Sequence, residues 1–383
     1  MEEIVTKIKC SGCSACANAC PKNAIEMIKN EDGFIHPKIN KHKCVNCGLC
    51  KKNCPVLNTS ENKSLNQCYV AYSNDEDAKK TSSSGGIFDL IAKNILKDHG
   101  IVVGAAFNDK MELKHTAIEK IEDLEKLKGS KYLQSELDNI FSYIKEKINS
   151  RKVLFVGTPC QVAGLHAFLK KDYDNLVCVD LFCHGVPSPK LFTKYIKELE
   201  KDNNSKVINY NFRDKKTGWD SYSNTCRLKN NKEISQLQKD NNYMKLFLSD
   251  IALRESCYNC NFKLGNKYSD ITLGDFWGVQ KYYPEMYNKQ GVSAIIVNTE
   301  KGQKVFEDIS NDLSYKECKL ENIVSGNPSL AISGKTPKLR NEFFDELDNK
   351  DIDYLTKKYQ KKISLISKLK NKIKSLIKKL INK

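Results

Sequence analysis

The sequence predicts three units in series: a compact α+β unit over residues 1–57, a mixed α/β domain over 67–350, and a basic amphipathic helix over 354–383. Three observations predict them. One cysteine run is repeated with identical spacing near the amino end. Two later segments share the order strand, cysteine-bearing loop, helix. The carboxy-terminal stretch alternates isoleucine and leucine with lysine.

Composition narrows the class. With 40% hydrophobic and 29% charged residues, the 383-residue chain reads as globular, not disordered. No apolar stretch approaches the length that spans a bilayer, and the start Met1-Glu2-Glu3-Ile4-Val5 lacks the basic-then-apolar pattern of a signal peptide. The expected compartment is the cytoplasm. Thiols there stay reduced, so sixteen cysteines read as metal ligands or redox centres, not disulfides.

The first unit carries the most specific signal. Cys10-x2-Cys13-x2-Cys16-x3-Cys20-Pro21 is repeated as Cys44-x2-Cys47-x2-Cys50-x3-Cys54-Pro55. Three thiolates at this interval wrap one iron–sulfur cubane, and the fourth, followed by proline, completes the other cluster of the pair. The spacing therefore assigns Cys10, Cys13, Cys16 and Cys54 to one [4Fe–4S] cluster, and Cys44, Cys47, Cys50 and Cys20 to a second. Structural zinc sites instead pair two Cys-x2-Cys knuckles across a longer loop. A polar connector, Asn58 to Ser64, follows.

The second unit opens with Thr81-Ser82-Ser83-Ser84-Gly85-Gly86, then the periodic Ile87, Leu90, Ile91, Ile95 and Leu96, which predicts a helix ending at Gly100. Serine hydroxyls and glycine amides before a helix suit an anion such as a cofactor pyrophosphate, and equally suit an ordinary turn and cap. There is no Gly-x-Gly-x-x-Gly fingerprint and no Walker loop. Ile101 to Phe107 reads as a buried strand. Val153 to Val156 leads into Gly157-Thr158-Pro159-Cys160 and a helix; Leu176 to Phe182 leads into Cys183-His184-Gly185-Val186-Pro187. That order predicts a largely parallel sheet with both cysteines beyond its carboxyl edge. Residues 200–250 are polar and carry no clear pattern.

Cys160 and Cys183, together with Cys257 and Cys260, supply four thiolates, enough for a third [4Fe–4S] cluster; buried, inert cysteines are the alternative. Cys178 reads as core, and Cys68, Cys226 and Cys318 carry no motif. His184, beside a candidate ligand, is the one histidine offered as a proton donor. His166 reads as packed, and His36, His42, His99 and His115 have no supporting constellation. Asp270 and Asp275 either position a cofactor or cap a turn.

The tail explains the charge. Lys357 to Lys383 holds eleven lysines and no acid, and removing those eleven from the net +16 leaves +5. Ile366, Leu369, Ile373, Leu376 and Leu380 form one stripe. An anionic membrane surface, a short coiled coil or partner contact, and a solvated helix all fit this pattern. Nucleic acid does not, because the lysines are not interleaved with aromatic residues along the stripe and the tail has no arginine.

Taken together, the strings Ser82 to Gly86, Gly129-Ser130-Lys131-Tyr132-Leu133-Gln134-Ser135, Gly157 to Gln161, Cys183 to Ser188, Cys257-x2-Cys260 and Ser269 to Gly278 resemble the coenzyme F420 hydrogenase/dehydrogenase beta subunit family, in its order, over about 67–330. The resemblance implies an α+β dicluster ferredoxin-like domain followed by a mixed α/β flavin-binding domain. It makes Cys160, Cys183, Cys257 and Cys260 ligands of a cluster beside FAD. Ser82, Ser83, Ser84, Gly85, Gly86, Gly129, Ser130, Lys131, Tyr132 and Thr158 become flavin contacts. Family members serve a deazaflavin coenzyme, formate-linked carriers or a chlorophyll derivative, and similar proteins occur in cell-surface polysaccharide functions. The expected function is an iron–sulfur flavoprotein oxidoreductase working between a ferredoxin-type carrier and a small organic substrate, peripheral at the inner face of the membrane through its tail. The alternatives are an electron-relay subunit serving a partner enzyme and, well behind, a non-redox metal scaffold.

Overall fold

The computed structural model describes residues 3–59, 65–264 and 267–361, so the whole tail stripe, Ile366 to Leu380, lies outside the described residues. Among the described residues no helix is long and apolar enough to cross a membrane.

The cysteine-rich unit has two one-turn helices, α1 (Ala15–Asn18) and α2 (Leu49–Lys52), flanking an antiparallel hairpin of β1 (Ile25–Lys29) and β2 (Ile35–Ile39). Ser14 and Gly48, both with φ in the left-handed region, start the two helices immediately after Cys13 and Cys47. This turn geometry lets consecutive cysteines face one point that a continuing helix could not serve.

The larger domain is built on an eight-stranded sheet. In chain order come β3 (Gln67–Ser73), α3 (Glu76–Thr81), α4 (Ile87–Lys97), β4 (Ile101–Phe107), β5 (Leu113–Ile118), α5 (Ile140–Lys147), β6 (Val153–Gly157), α6 (Pro159–Leu169) and β7 (Leu176–Leu181). After an excursion the chain returns as β11 (Ile271–Asp275), α9 (Val279–Tyr282), β12 (Ser293–Val297), α10 (Glu300–Ile309), β13 (Leu313–Glu317) and α11 (Leu320–Gly326). The strand order is β13-β3-β12-β11-β7-β6-β4-β5. β4, β6, β7 and β11 run parallel, while β5, β12, β3 and β13 pair antiparallel at the two flanks. The sheet is thus mixed, with a parallel centre where the strand–loop–helix order was legible and antiparallel edges where it was not.

Alternation along the strands builds two layers. Val102 and Ala106 of β4 meet Ile87, Leu90, Ile91 and Ile95 of α4, whereas Ile101 and Val103 face Phe141, Ile144, Val162 and Leu165 of α5 and α6. Cys13 and Ala15 belong to that second layer, so the cysteine-rich unit is packed into the larger domain's core.

The excursion over 189–248 contains α7 (Pro189–Asn203), a three-stranded antiparallel sheet of β8 (Val207–Asp214), β9 (Ser223–Leu228) and β10 (Glu233–Leu237), and α8 (Asn242–Leu248). Polar residues masked it in the sequence because β10 and one face of β8 are exposed. α12 (Arg340–Glu346) and α13 (Ile352–Tyr359) close over it, with Ile352, Leu355 and Tyr359 buried in the same cluster. The first residues of the expected tail helix therefore serve the core.

One buried cation fastens the units. Arg254, 2% exposed, donates to the carbonyls of Cys10 (2.7 Å) and Ile35 (3.0 Å) and to Gln134 Oε1 (3.2 Å). Burial, with the Arg254 charge adding to it, pushes His36 down to about 3, so that imidazole stays neutral. Replacing Arg254 by Met takes the donor from the buried Cys10 and Ile35 carbonyls, at about 1–3 kcal/mol each, while Gln134 Oε1 keeps the Ile35 N–H (3.2 Å). The expected outcome is a drop of at least about 2 kcal/mol in protection of the amides of residues 10–36, measured by hydrogen exchange.

Candidate functional site

Each cysteine quartet converges on one cavity. Cys10, Cys13, Cys16 and Cys54 line the first, and Cys20, Cys44, Cys47 and Cys50 line the second. Burial, with neighbouring thiols adding to it, raises the affinity of Cys13, Cys16, Cys50 and Cys54 for protons. Burial pushes Cys13 up to about 12, with Cys10 and Cys54 adding to it; burial also raises Cys50, with Cys20 and Cys44 adding. Such sulfurs become thiolates only when a cation compensates them, which iron does. Cys54 also feels Cys50, so the two sets adjoin. Among the described residues no three Cys, His, Asp or Glu side chains converge as ligands of a single metal ion; in a cubane each thiolate binds a different iron.

Cys160, Cys183, Cys257 and Cys260 line a third cavity of about 250 Å³ with Ser11, Val56 and Leu57 from the N-terminal unit. Cys160 stands at the start of α6 and Cys183 just past β7, both beyond the carboxyl edge of the sheet. Burial raises the Cys160 thiol, and Cys260, Cys183 and Cys257 raise it further. Two lysines oppose this at Cys183: Lys263, whose Nζ donates to the Cys183 carbonyl (2.8 Å), and Lys267, paired with buried Asp180 (3.0 Å).

Gly164 sets the spacing between the first and third quartets. A Cβ on Gly164 would lie 2.9 Å from Cys13 Cβ and Sγ, so only glycine admits this approach. Cys160 lies one turn earlier on the same helix, about 6 Å along its axis.

On the other side of the α6 start lies a cavity of about 210 Å³ at the carboxyl edge of β4, β6, β7 and β11. Ser82, Ser83, Ser84, Gly86, Gly129, Ser130, Lys131 and Thr158 line it. Its donors are prepared. Ser130 N donates to Ser83 Oγ (2.7 Å), and Ser84 Oγ donates to the Val292 carbonyl (3.0 Å). Ser82 Oγ is buried without a partner among the described residues. Gly129, at φ 81°, has no atom within 4 Å of where a Cβ would stand, so its backbone opens onto free space. Thr158 Oγ1 reaches Cys160 Sγ at 3.3 Å, joining this wall to the third quartet.

Some sequence candidates stand elsewhere. Gly85 is absent from the wall, because its N–H is turned to Ser293 Oγ (3.0 Å) and a Cβ would strike the Ala71 carbonyl at 2.8 Å. Tyr132 also leaves the wall, since its ring stacks on Phe247 (5.3 Å). Lys131 Nζ points back to the carbonyls of Lys126, Leu127 and Lys128 at 2.7–3.3 Å; burial pushes it down to about 7, and the Glu125 carboxylate opposes that. His184 lines the cysteine cavity, not the serine–glycine one, and Asp250 holds its Nε2 at 2.6 Å. The structure thus places His184 among the cysteines and away from the serine–glycine wall.

Asp275 and Asp270 divide the roles expected of them. Asp275 lines the serine–glycine cavity and binds Arg213 through both oxygens (2.8 and 3.0 Å), with Trp219 Nε1 at 2.7 Å. Arg213 then donates to the Ser83 carbonyl (3.1 Å), so this pair holds the serine turn. Asp270 is a brace, accepting from Cys178 N (2.8 Å) and Thr299 Oγ1 (2.6 Å).

Comparison with known proteins decides the relationship. Residues 68–142 match the N-terminal part of the coenzyme F420 hydrogenase/dehydrogenase beta subunit, and residues 150–322 match its C terminus. The chain belongs to this beta subunit family. Residues 9–58 match a 4Fe-4S dicluster domain, so a dicluster unit precedes the beta subunit fold. An uncharacterized protein of Methanocaldococcus jannaschii is 26% identical over 346 residues, 80% of this chain and 88% of its own length. A chain of the F420-reducing [NiFe] hydrogenase complex from Methanosarcina barkeri is similar at a TM-score of 0.47 and 20% identity, covering 75% of this chain and 91% of that one. The protein is an iron–sulfur electron-transfer subunit related to these hydrogenase and dehydrogenase beta subunits.

Within this beta subunit fold, sequence reasoning left several wall residues out, a buried histidine among them. His115 is buried on β5, lines the serine–glycine cavity, stacks on Phe155 (5.4 Å) and holds the Val156 carbonyl at 3.0 Å. A lone histidine on an alternating strand gives no signal of this. Burial pushes His115 down to about 4, whereas the unfolded chain takes a proton near 6.5. Stability is therefore complete above about pH 6.5 and falls as pH drops toward 4, by roughly 2 kcal/mol at pH 5. Thermal midpoints measured at pH 7 and pH 5 should differ less in a His115→Gln variant than in the natural protein.

Proposed function

We propose that this chain is an iron–sulfur flavoprotein oxidoreductase carrying three [4Fe–4S] clusters and FAD, working between a ferredoxin-type one-electron carrier and a small organic substrate. The observation that carries this reading is the shared wall at the start of α6. Pro159 and Cys160 line the four-cysteine cavity, while Gly157, Thr158 and Gln161 line the serine–glycine cavity behind it.

The residues present suit these groups. Four cysteines around one space, with Lys263 and Lys267 offsetting their charge, suit a cubane. The unpartnered hydroxyl of Ser82, the open backbone at Gly129 and the hydroxyls of Ser83 and Ser84 suit the phosphates and ring of a flavin nucleotide. A bound flavin exchanges single electrons with iron–sulfur centres and electron pairs with organic molecules. The chain supplies the rest. Arg213 and Asp275 fix the serine turn, and Lys215 ties its Ser84 carbonyl (3.0 Å) to the end of β8. Thr158 begins α6 with its N–H donated to Gln161 Oε1 (2.9 Å), so the helix start is rigid between the two cavities. The lysine-rich tail adds a peripheral hold on an anionic membrane.

Anaerobically prepared protein should contain about twelve irons and release one flavin per chain on denaturation. A Cys160→Ala variant should lose about four of those irons and keep the N-terminal set. Eight irons and no flavin in the natural protein would sink the proposal.

A further inference from the structure

The net charge outside the tail is small, yet one region of the N-terminal unit is one-sided. From Gly33 to Thr59 the chain has five lysines and no carboxylate. Lys41, Lys43, Lys51 and Lys52 are exposed around the second cysteine quartet, and exposed Lys22 lines that quartet's cavity. The acidic residues of the hairpin turn lie at its far end. There Asp32 Oδ2 accepts from Arg340 (3.1 Å), and the Glu31 carbonyl accepts from Lys190 (2.9 Å). Five residues of strand, about 17 Å, separate that turn from the lysines.

The two quartets also differ in access. Cys10, Cys13, Cys16 and Cys54 are all buried, with Cys13 against Gly164. In the second quartet Cys47 is exposed, Cys20 and Cys44 are half-buried, and Val45 between the ligands is 59% exposed. The unit thus presents its outer quartet, with an apolar residue at the centre and lysines around it, on the side away from α6.

We propose that this face docks an acidic one-electron carrier protein and that the outer quartet is the port through which electrons enter or leave. The inference rests on the iron–sulfur assignment above and adds the entry point and the charge of the partner. Complementary charge steers such encounters and raises association rates by 10–10³, an effect that salt removes. The exposed Val45 supplies the dry centre that small interfaces use.

The test uses the full-length anaerobic protein with its clusters in place. Cluster reduction is followed by stopped-flow with two donors, a reduced acidic ferredoxin and the methyl viologen radical cation. A Lys43→Glu/Lys51→Glu/Lys52→Glu variant should react with the ferredoxin at least about tenfold more slowly, and the natural protein should slow steeply between 20 and 300 mM salt. The viologen rate should not fall in the variant. A ferredoxin rate indifferent to both charge reversal and salt overturns the proposal, as does an equal loss with viologen. Failure of the iron–sulfur reading itself would look different: viologen would bleach no cluster absorption in the natural protein.

Discussion

The approach of Cys13 to Gly164 organises this molecule. A helix that carries a candidate ligand of one cluster at its first turn offers, one turn later, a position without a side chain, and a ligand of another cluster fills it. Any larger residue at 164 would push the dicluster unit away from α6. Arg254 fixes the same unit through the Cys10 and Ile35 carbonyls. Packing and hydrogen bonding therefore converge on one spacing, and electron transfer depends on spacing.

The second consequence is a gradient of exposure. The outer quartet meets solvent, the inner quartet is sealed, the third lies in a cavity walled by both units, and the serine–glycine cavity sits behind α6. Charge follows the same line. Lysines surround the outer quartet, Lys263 and Lys267 offset the third, and the Arg213–Asp275 pair, neutral in sum, holds the innermost wall.

Much of this was legible before any coordinates. The doubled cysteine spacing points to the dicluster unit because its ligands are local in sequence. The parallel strand β4 was legible as an unbroken apolar run, and β6 and β7 because their apolar runs ended in loops that break visibly at glycine and proline. The antiparallel edges were not, since β3, β12 and β13 are joined by long-range pairing that leaves no local pattern. The quartet of Cys160, Cys183, Cys257 and Cys260 spans a hundred residues, so spacing alone left it open and family resemblance supplied it. Gly164 and His115 lay beyond both. One matters for the side chain it lacks, and the other for a wall contact set by strand register. Tyr132 and Gly85 show the reverse: residues of the resembling strings that hold the wall from behind rather than forming it.

The most direct measurement is the EPR spectrum of the fully reduced protein, compared between the natural chain and Gly164→Leu at matched iron content. The account predicts that signals of the inner and third clusters are broadened by mutual interaction in the natural protein and that this broadening is lost in the variant. Spectra showing magnetically isolated centres in the natural chain, or the same interaction in both proteins, would contradict it.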